Sequence, residues 1–284
     1  MTASVTLNAI RRQIAAMGCE RFDIGVLRPD GKMLLREGWL PGDIVNAIGW
    51  LRHENSASAH IYIRPAGSHA LTLIDDLTRE GIERMSAEGC EPALVVETSP
   101  GNFQAWLRHA EVIDERVSTA VAKELAARFG GDPSSADWRH FGRLAGFTNQ
   151  KRSRRLPSGL APFVLLREAA GEIFALSAEI VQTVKRRLAE EASHQKGSIV
   201  AFTRSSGAGE LPPIEELHSD PRYGGDLHRA DIAWANIAAA AGLGLEAIRD
   251  AILNARDLSH KGNRKRQLNY ASRTAEKALR DQNR

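Results

Sequence analysis

The sequence predicts an α+β protein, with a larger domain of mainly antiparallel strands flanked by helices and a small all-α bundle after it. Three observations carry this. Short alternating runs occur in pairs separated by turn residues, which marks hairpins. Helical-period stretches interrupt these pairs instead of following every strand, so a regular βαβ chain is not indicated. Beyond Ile214 the strand pattern stops and the chain turns helical and alanine-rich. A chain of 284 residues can bury one sizeable core and a second, smaller one.

Taken in order, Leu7, Ile10, Ile14 and Met17 share a helical spacing and predict a helix over 7–17. Phe22-Asp23-Ile24-Gly25-Val26-Leu27 alternates as a strand, Pro29-Asp30-Gly31 turns the chain, and 33–36 returns beside it. A short helix is expected over 43–51 and an alternating strand over 60–65. Leu71-Thr72-Leu73-Ile74 is a buried-strand run that emerges at Asp75-Asp76, with a helix over 80–88 behind it. A strand over 93–98 turns at Ser99-Pro100-Gly101-Asn102 and returns over 103–107. An amphipathic helix over 117–129 stops at Gly130-Gly131. One long helix is expected over 171–192. Residues 193–213, rich in Gly, Ser and Pro, read as a linker holding a short strand at 198–202. Helices over 230–241 and 245–254 are separated by Gly242-Leu243-Gly244, and no internal repeat is present.

The composition, 43% hydrophobic and 26% charged with few aromatics, is that of a soluble globular chain. No run approaches the ~20 apolar residues of a membrane span. Residues 1–7 lack a basic stretch followed by an apolar one, so no secretory signal is expected. Cys19 and Cys90 are the only cysteines and have no metal-like spacing. That fits a reducing cytoplasm, the expected location, and argues against a zinc module or a disulfide framework.

The Asp75-Asp76 pair needs a physical reason. Adjacent carboxylates at the end of a buried strand repel strongly unless a cation neutralises them. Oxygen ligands suit magnesium or manganese, the metals of phosphoryl and nucleotidyl transfer. The same pair also reads as a strand end that caps the helix beyond Thr78.

The net charge of +3 is modest but uneven. From Arg256 onward Arg256, Lys261, Arg264, Lys265, Arg266, Arg273, Lys277, Arg280 and Arg284 face only Asp257, Glu276 and Asp281. A second cluster is Lys151-Arg152-Ser153-Arg154-Arg155. Such clusters are the footprint of a polyanionic partner, or else a solvated surface and a charged tail.

Three segments now combine: Leu73-Ile74-Asp75-Asp76-Leu77, the hairpin from Val95 to Trp106, and the stretch from Gly131-Asp132-Pro133 through Arg143-Leu144-Ala145-Gly146-Phe147-Thr148-Asn149-Gln150-Lys151. In order, spacing and identity the chain resembles the RepB-type DNA primases of mobilisable broad-host-range plasmids, a branch of the archaeo-eukaryotic primase superfamily. The likeness begins near Ala16 and runs to about Arg167. It resumes in the helical region from Gly225 to Leu279.

The resemblance implies a primase catalytic domain at 1–170, a long helix and linker at 171–212, and a helix-bundle domain at 213–284. It makes Asp75, Asp76 and Asp132 the catalytic carboxylates, holding two magnesium or manganese ions roughly 4 Å apart. Many superfamily members carry a histidine where this chain has Gln104. A glutamine can donate to phosphate but adds no charge, so its role is positioning, or it is a polar residue on an exposed strand face. Arg139, His140 and Arg143 fall at helix-turn offsets and could grip a triphosphate, with Arg143 the preferred ligand and His140 equally readable as a packed structural residue. Asn149 and Lys151 complete the nucleotide-binding set. Asp137 is expected to cap or orient the arginines and not to bind the metal, and Glu97, in the hairpin strand, to be a supporting partner or an exposed residue and not a ligand. Template contacts are expected from Arg152, Arg154 and Arg155, and from Lys261, Arg264, Lys265 and Arg266, whereas Trp234 and Tyr270 are expected in the bundle core.

The expected activity is DNA-primer synthesis on a plasmid's single-stranded origin from nucleoside triphosphates, by a monomer working with a replicative helicase and polymerase and with no membrane. The alternative is a non-catalytic single-stranded origin-binding protein. A relaxase is rejected, because only Tyr62, Tyr223 and Tyr270 are available and no His-x-His pair exists.

Overall fold

The computed structural model describes residues 2–205 and 211–282. The chain divides into two compact units, Met1–Leu188 and Ala189–Arg284.

In the first unit, α1 (Ala3–Met17) starts where the Thr2 side chain accepts the Val5 N–H and ends at Gly18 in the left-handed region. The hairpin β1 (Phe22–Leu27) and β2 (Met33–Trp39) follows. The single helix expected over 43–51 is instead two, α2 (Pro41–Asn46) and α3 (Ile48–Ser56), broken at Ala47. Strands β3 (His60–Pro65) and β4 (Leu71–Leu77) lead to α4 (Arg79–Ala87), whose first turn is capped by Thr78. Then come β5 (Leu94–Ser99), β6 (Asn102–Arg108), α5 (Glu115–Phe129), β7 (Gly142–Arg143) and β8 (Leu165–Ala169).

Helix α6 (Ser177–Ser205) replaces both the helix expected over 171–192 and the strand expected at 198–202. Among the described residues no strand pairs with 198–202, and a helix satisfies their backbone groups within one segment. In the second unit, α7 (Ile214–Ser219), α8 (Leu227–Ala240), α9 (Leu245–Asn254) and α10 (Arg264–Gln282) form the bundle. Among the described residues no helix is long and apolar enough to cross a membrane.

The α+β class holds, with the strands divided between two four-stranded antiparallel sheets ordered β2-β1-β3-β7 and β4-β6-β5-β8. The first sheet buries Phe22, Ile24, Val26, Ile61 and Ile63 against Ile10, Ile14, Ile44 and Leu51 of α1–α3. The second sheet is buried on both faces. Leu73, Leu94, Val96 and Trp106 join that first core, while Ile74, Val95, Ala105 and Leu107 pack with α4, α5 and the start of α6. Double burial explains why Leu94, Val95 and Val96 follow one another without apolar–polar alternation.

The bundle has its own core around Trp234, Ile248, Ile252 and Ala275. Trp234 is buried and its indole N–H donates to Pro212. Tyr270 is only half-buried. Its hydroxyl donates at 2.6 Å to Asp231, a fully buried carboxylate that also pairs with Arg256 and meets His218 at 2.7 Å.

Candidate active site

The two aspartates lie in a β-bulge. Ile74 pairs with Ala105 and Leu77 with Phe103, so Asp75 and Asp76 together oppose the single residue Gln104. Regular strand residues alternate between faces. The extra residue breaks that alternation, and both aspartates line one cleft of about 290 Å³. Asp76 adopts φ +56°, one of two positive-φ non-glycine residues described. The left-handed region costs roughly 1–2 kcal/mol for residues with a Cβ, least for Asn and Asp, so strain is stored at this strand end.

Asp132 reaches the same cleft from α5. Its N–H donates to the Asp75 carbonyl at 2.9 Å. Gly131 permits the approach, since a Cβ there would lie 2.5 Å from Ile74 Cγ2 and 2.8 Å from the Asp75 oxygen. The Asp132 carboxylate accepts from the Ser134 N–H and from the Ser134 and Ser135 hydroxyls. These bonds, the Ser134 hydroxyl first, hold its pKa below the ordinary value. Burial pushes Asp75 the other way, against lowering hydrogen bonds from Gln104 and the Asp76 N–H.

Gln104 is buried, not on a solvent face. Its Oε1 accepts the Arg143 N–H at 2.8 Å, which fixes the amide so that its NH2 turns to Asp75. It thus ties the acidic strand end to β7.

Across the cleft stands Arg143, buried with its guanidinium 5.1 Å from the Tyr62 ring and 3.0 Å from His60 Nδ1. Burial lowers its pKa and, with the nearby cations Arg143 and Lys151, brings His60 down to about 4. A neutral imidazole can accept from the guanidinium. Among the described residues no carboxylate lies within ion-pair distance of Arg143, so an anionic ligand is its natural counterion.

Helix-turn spacing does not govern residues 139–143. Gly142 lies so close under the Trp106 ring that a Cβ would come within 2.7 Å, and Gly142–Arg143 pairs with β3 as a strand. Arg139 therefore points away from the cleft, exposed and 5.3 Å from the Trp138 ring. His140 does line the cleft, with Nε2 3.9 Å from Asp75 and Nδ1 3.7 Å from Asp137. Asp137 accepts the Arg139 N–H.

Asn149 and Lys151 both line the cleft, but Asn149 is buried and its amide donates to the Thr98 carbonyl at 2.8 Å, bracing the hairpin. Glu97 accepts from Gly101 N–H and pairs with Arg167, so it supports the β5–β6 turn. Arg154 enters the cleft 3.5 Å from Asp76 Oδ1, which also accepts from Asn102 Nδ2 at 3.0 Å. Arg152 and Arg155 are exposed outside it.

In the second unit Lys261 and Arg266 border a separate hollow beside Tyr270, while Arg264 and Lys265 are exposed in the first turn of α10. Sequence reasoning missed His60, Tyr62 and Asn102. The alternation His60-Ile61-Tyr62-Ile63-Arg64 carried the signal, since it sets His, Tyr and Arg on one face of a strand whose other face is apolar.

Asp75, Asp76 and Asp132 thus border one cleft, but among the described residues no three His, Cys, Asp or Glu side chains converge as a preformed metal site. The donors nonetheless suit a hard cation. They are carboxylate oxygens facing Arg143, Lys151 and Arg154. Such a cleft can take a cation together with a polyphosphate.

The fold is that of a primase-type domain. Residues 30–191 match the RepB DNA-primase N-terminal domain, and the chain belongs to that family. It is 37% identical to Mobilization protein A of Escherichia coli over 96% of this chain but only 40% of that protein. A DNA primase of Acidithiobacillus ferrooxidans is 27% identical over 96% of this chain and 85% of its own length. The crystal structure of primase RepB′ superposes with a TM-score of 0.67 at 38% identity, covering 96% of this chain and 94% of that one. The RepB′ catalytic domain in complex with initiator DNA matches 67% of this chain and 98% of its own at 44% identity, with a TM-score of 0.62.

Proposed function

We propose that this chain is a plasmid primase that joins nucleoside triphosphates into a short primer on single-stranded origin DNA. The observation that carries the reading is the bulge at Asp75-Asp76, with Asp132 bonded to it and the buried Arg143 opposite. Family membership and the similarity to a primase crystallised with initiator DNA support it.

Asp75, Asp76 and Asp132 would hold two magnesium or manganese ions, which neutralise the triphosphate and leaving pyrophosphate and activate the attacking 3′-oxygen. Gln104 orients Asp75. Arg143 takes the triphosphate, held flat by Tyr62 and by neutral His60. Lys151 and Arg154 add positive charge where the transition state concentrates negative charge. Arg154, Asn102 and the Ser134 and Ser135 hydroxyls contact carboxylate oxygens that cations would claim, so these contacts would have to yield. The basic residues of 152–155 and 261–266 meet the template, and the primer passes from a monomer to a replicative polymerase working with a helicase.

Primer synthesis on a defined single-stranded template, with each triphosphate omitted in turn, tests this. Wild type should incorporate label only with a divalent ion, and Asp76→Asn or Asp132→Asn should not. Full synthesis by either variant refutes the assignment. That no three-ligand site is preformed among the described residues favours the second reading, a non-catalytic origin-binding protein. That reading predicts no change in thermal stability or nucleotide binding on divalent-ion titration.

A further inference from the structure

The first sheet has an open face. Phe22, Ile24 and Val26 of β1 and Ile61 and Ile63 of β3 point into the core beneath α1–α3, so the alternate residues take the opposite side. Across four strands the register runs Leu35, Gly25, Tyr62, Arg143, a single row from the outer strand to the wall of the cleft. The next row pairs Met33 with Leu27 and Leu27 with His60. Met33 and Leu35 are 44% and 36% exposed, unusual for large apolar side chains on a strand.

Gly25 at the centre keeps the face low. A Cβ there would meet Met33 Sδ at 3.2 Å, Phe141 Cε1 at 3.4 Å and the Tyr62 Cβ at 3.5 Å. A glycine inside a strand often marks a place where a ligand comes close. The aromatic rings continue towards the cleft, with His60 and Tyr62 centroids 5.9 Å apart and Tyr62 and Phe141 6.4 Å apart. Arginines interleave with them. Arg64 lies 4.3 Å from the Phe141 ring and Arg143 5.1 Å from the Tyr62 ring. The acid on this face, Asp23, is neutralised by Arg64 at 2.9 Å.

We infer that this face is the bed of the single-stranded template: bases stack along Met33, Leu35, Tyr62 and Phe141, and the strand runs towards the cleft that Arg143, Lys151 and Arg154 line. The inference rests on the primase reading and deepens it. Stacking surfaces with interleaved cations are what a single strand needs, because every base has a π-face and every nucleotide a charge. The row also ends at the catalytic cleft, where a templating base must lie.

The test uses the full chain with a fluorescein-labelled oligothymidylate, compared between wild type and a Met33→Glu, Leu35→Glu double variant. Both positions are exposed and outside the cleft. The inference predicts binding weakened about tenfold, with thermal midpoint and ATP binding unchanged. Unchanged oligothymidylate affinity overturns it, as does a change confined to sedimentation, which would make the face a contact between copies. An oligonucleotide carrying 5-iododeoxyuridine gives a second readout on unaltered protein. Cross-links at Tyr62, Phe141 or Met33 support the bed, and cross-links only elsewhere overturn it. If wild type incorporates no nucleotide with any divalent ion yet cross-links here, the primase reading fails and the bed stands. Incorporation with cross-links elsewhere fails the bed alone.

Discussion

The backbone N–H of Asp132 reaches the carbonyl oxygen of Asp75 at 2.9 Å, and this one bond fastens the loop after α5 to the acidic end of β4. The contact exists because residue 131 has no side chain. Gly131→Ala should push a methyl into Ile74 and the Asp75 carbonyl, destabilising by roughly 1–3 kcal/mol as overpacked sites do. Primer synthesis should fall further than stability explains, because Asp132 moves with the loop. Denaturant melts beside activity at a temperature where the variant is fully folded check this.

Arg143 carries a buried charge with no carboxylate within ion-pair distance among the described residues, although Asp75 attracts it across the cleft. Arg143→Leu should leave the thermal midpoint unchanged or raise it, since a desolvated charge is removed. The same change should cut kcat/KM for the triphosphate by about a hundredfold, and Arg143→Lys should not restore it because the planar stack on Tyr62 is lost. A large drop in midpoint with little effect on kcat/KM would assign Arg143 to structure.

His109, away from the cleft, lies buried between Thr72, Ser177 and the Phe174 ring. Burial, helped by nearby His69, lowers its pKa from 6.5 to about 4. A histidine depressed in the fold contributes stability that is fully present above about 6.5 and is lost as pH falls towards 4. The loss should approach roughly 3 kcal/mol. Unfolding followed from pH 7 to 4 should show a shallower decline for His109→Gln, but not a flat one, since burial lowers His69 too.

Helix α10 begins with Arg264, Lys265 and Arg266 and has no acid in its first turn. Cations at the positive end of a helix cost about 0.3–1 kcal/mol each, and an anion placed there removes the penalty. Arg264→Glu with Lys265→Glu should therefore stabilise the bundle slightly while weakening single-stranded DNA binding and flattening its salt dependence. Melts and anisotropy titrations at several salt concentrations read both effects.

Much of this was legible from local pattern. The Pro29-Asp30-Gly31 and Pro100-Gly101 turns, the alternation over 22–27 and 60–65, and the Gly130 helix stop all lie in the expected places, because each depends on neighbours in the chain. The bulge was not legible. Two residues opposing one is a property of the β4–β6 pairing, and nothing in Leu73-Ile74-Asp75-Asp76 announces which partner stands across.

The same limit hid the fate of the arginines. Arg139 and Arg143 look alike in sequence, but the approach of Gly142 to Trp106 makes a strand there and sends one outward and one into the cleft. Gln104 was ambiguous for the reverse reason. On an edge strand it would face water, and only burial of the second sheet on both faces makes it a clamp between Asp75 and Arg143.

Manganese binding, followed by the paramagnetic resonance signal of the free ion, tests the central claim most directly. With ATP present, wild type should take up two ions per chain. Asp76→Asn and Asp132→Asn should each lose at least one of them while keeping the wild-type melting curve in the absence of manganese. Equal uptake by wild type and both variants would contradict the account.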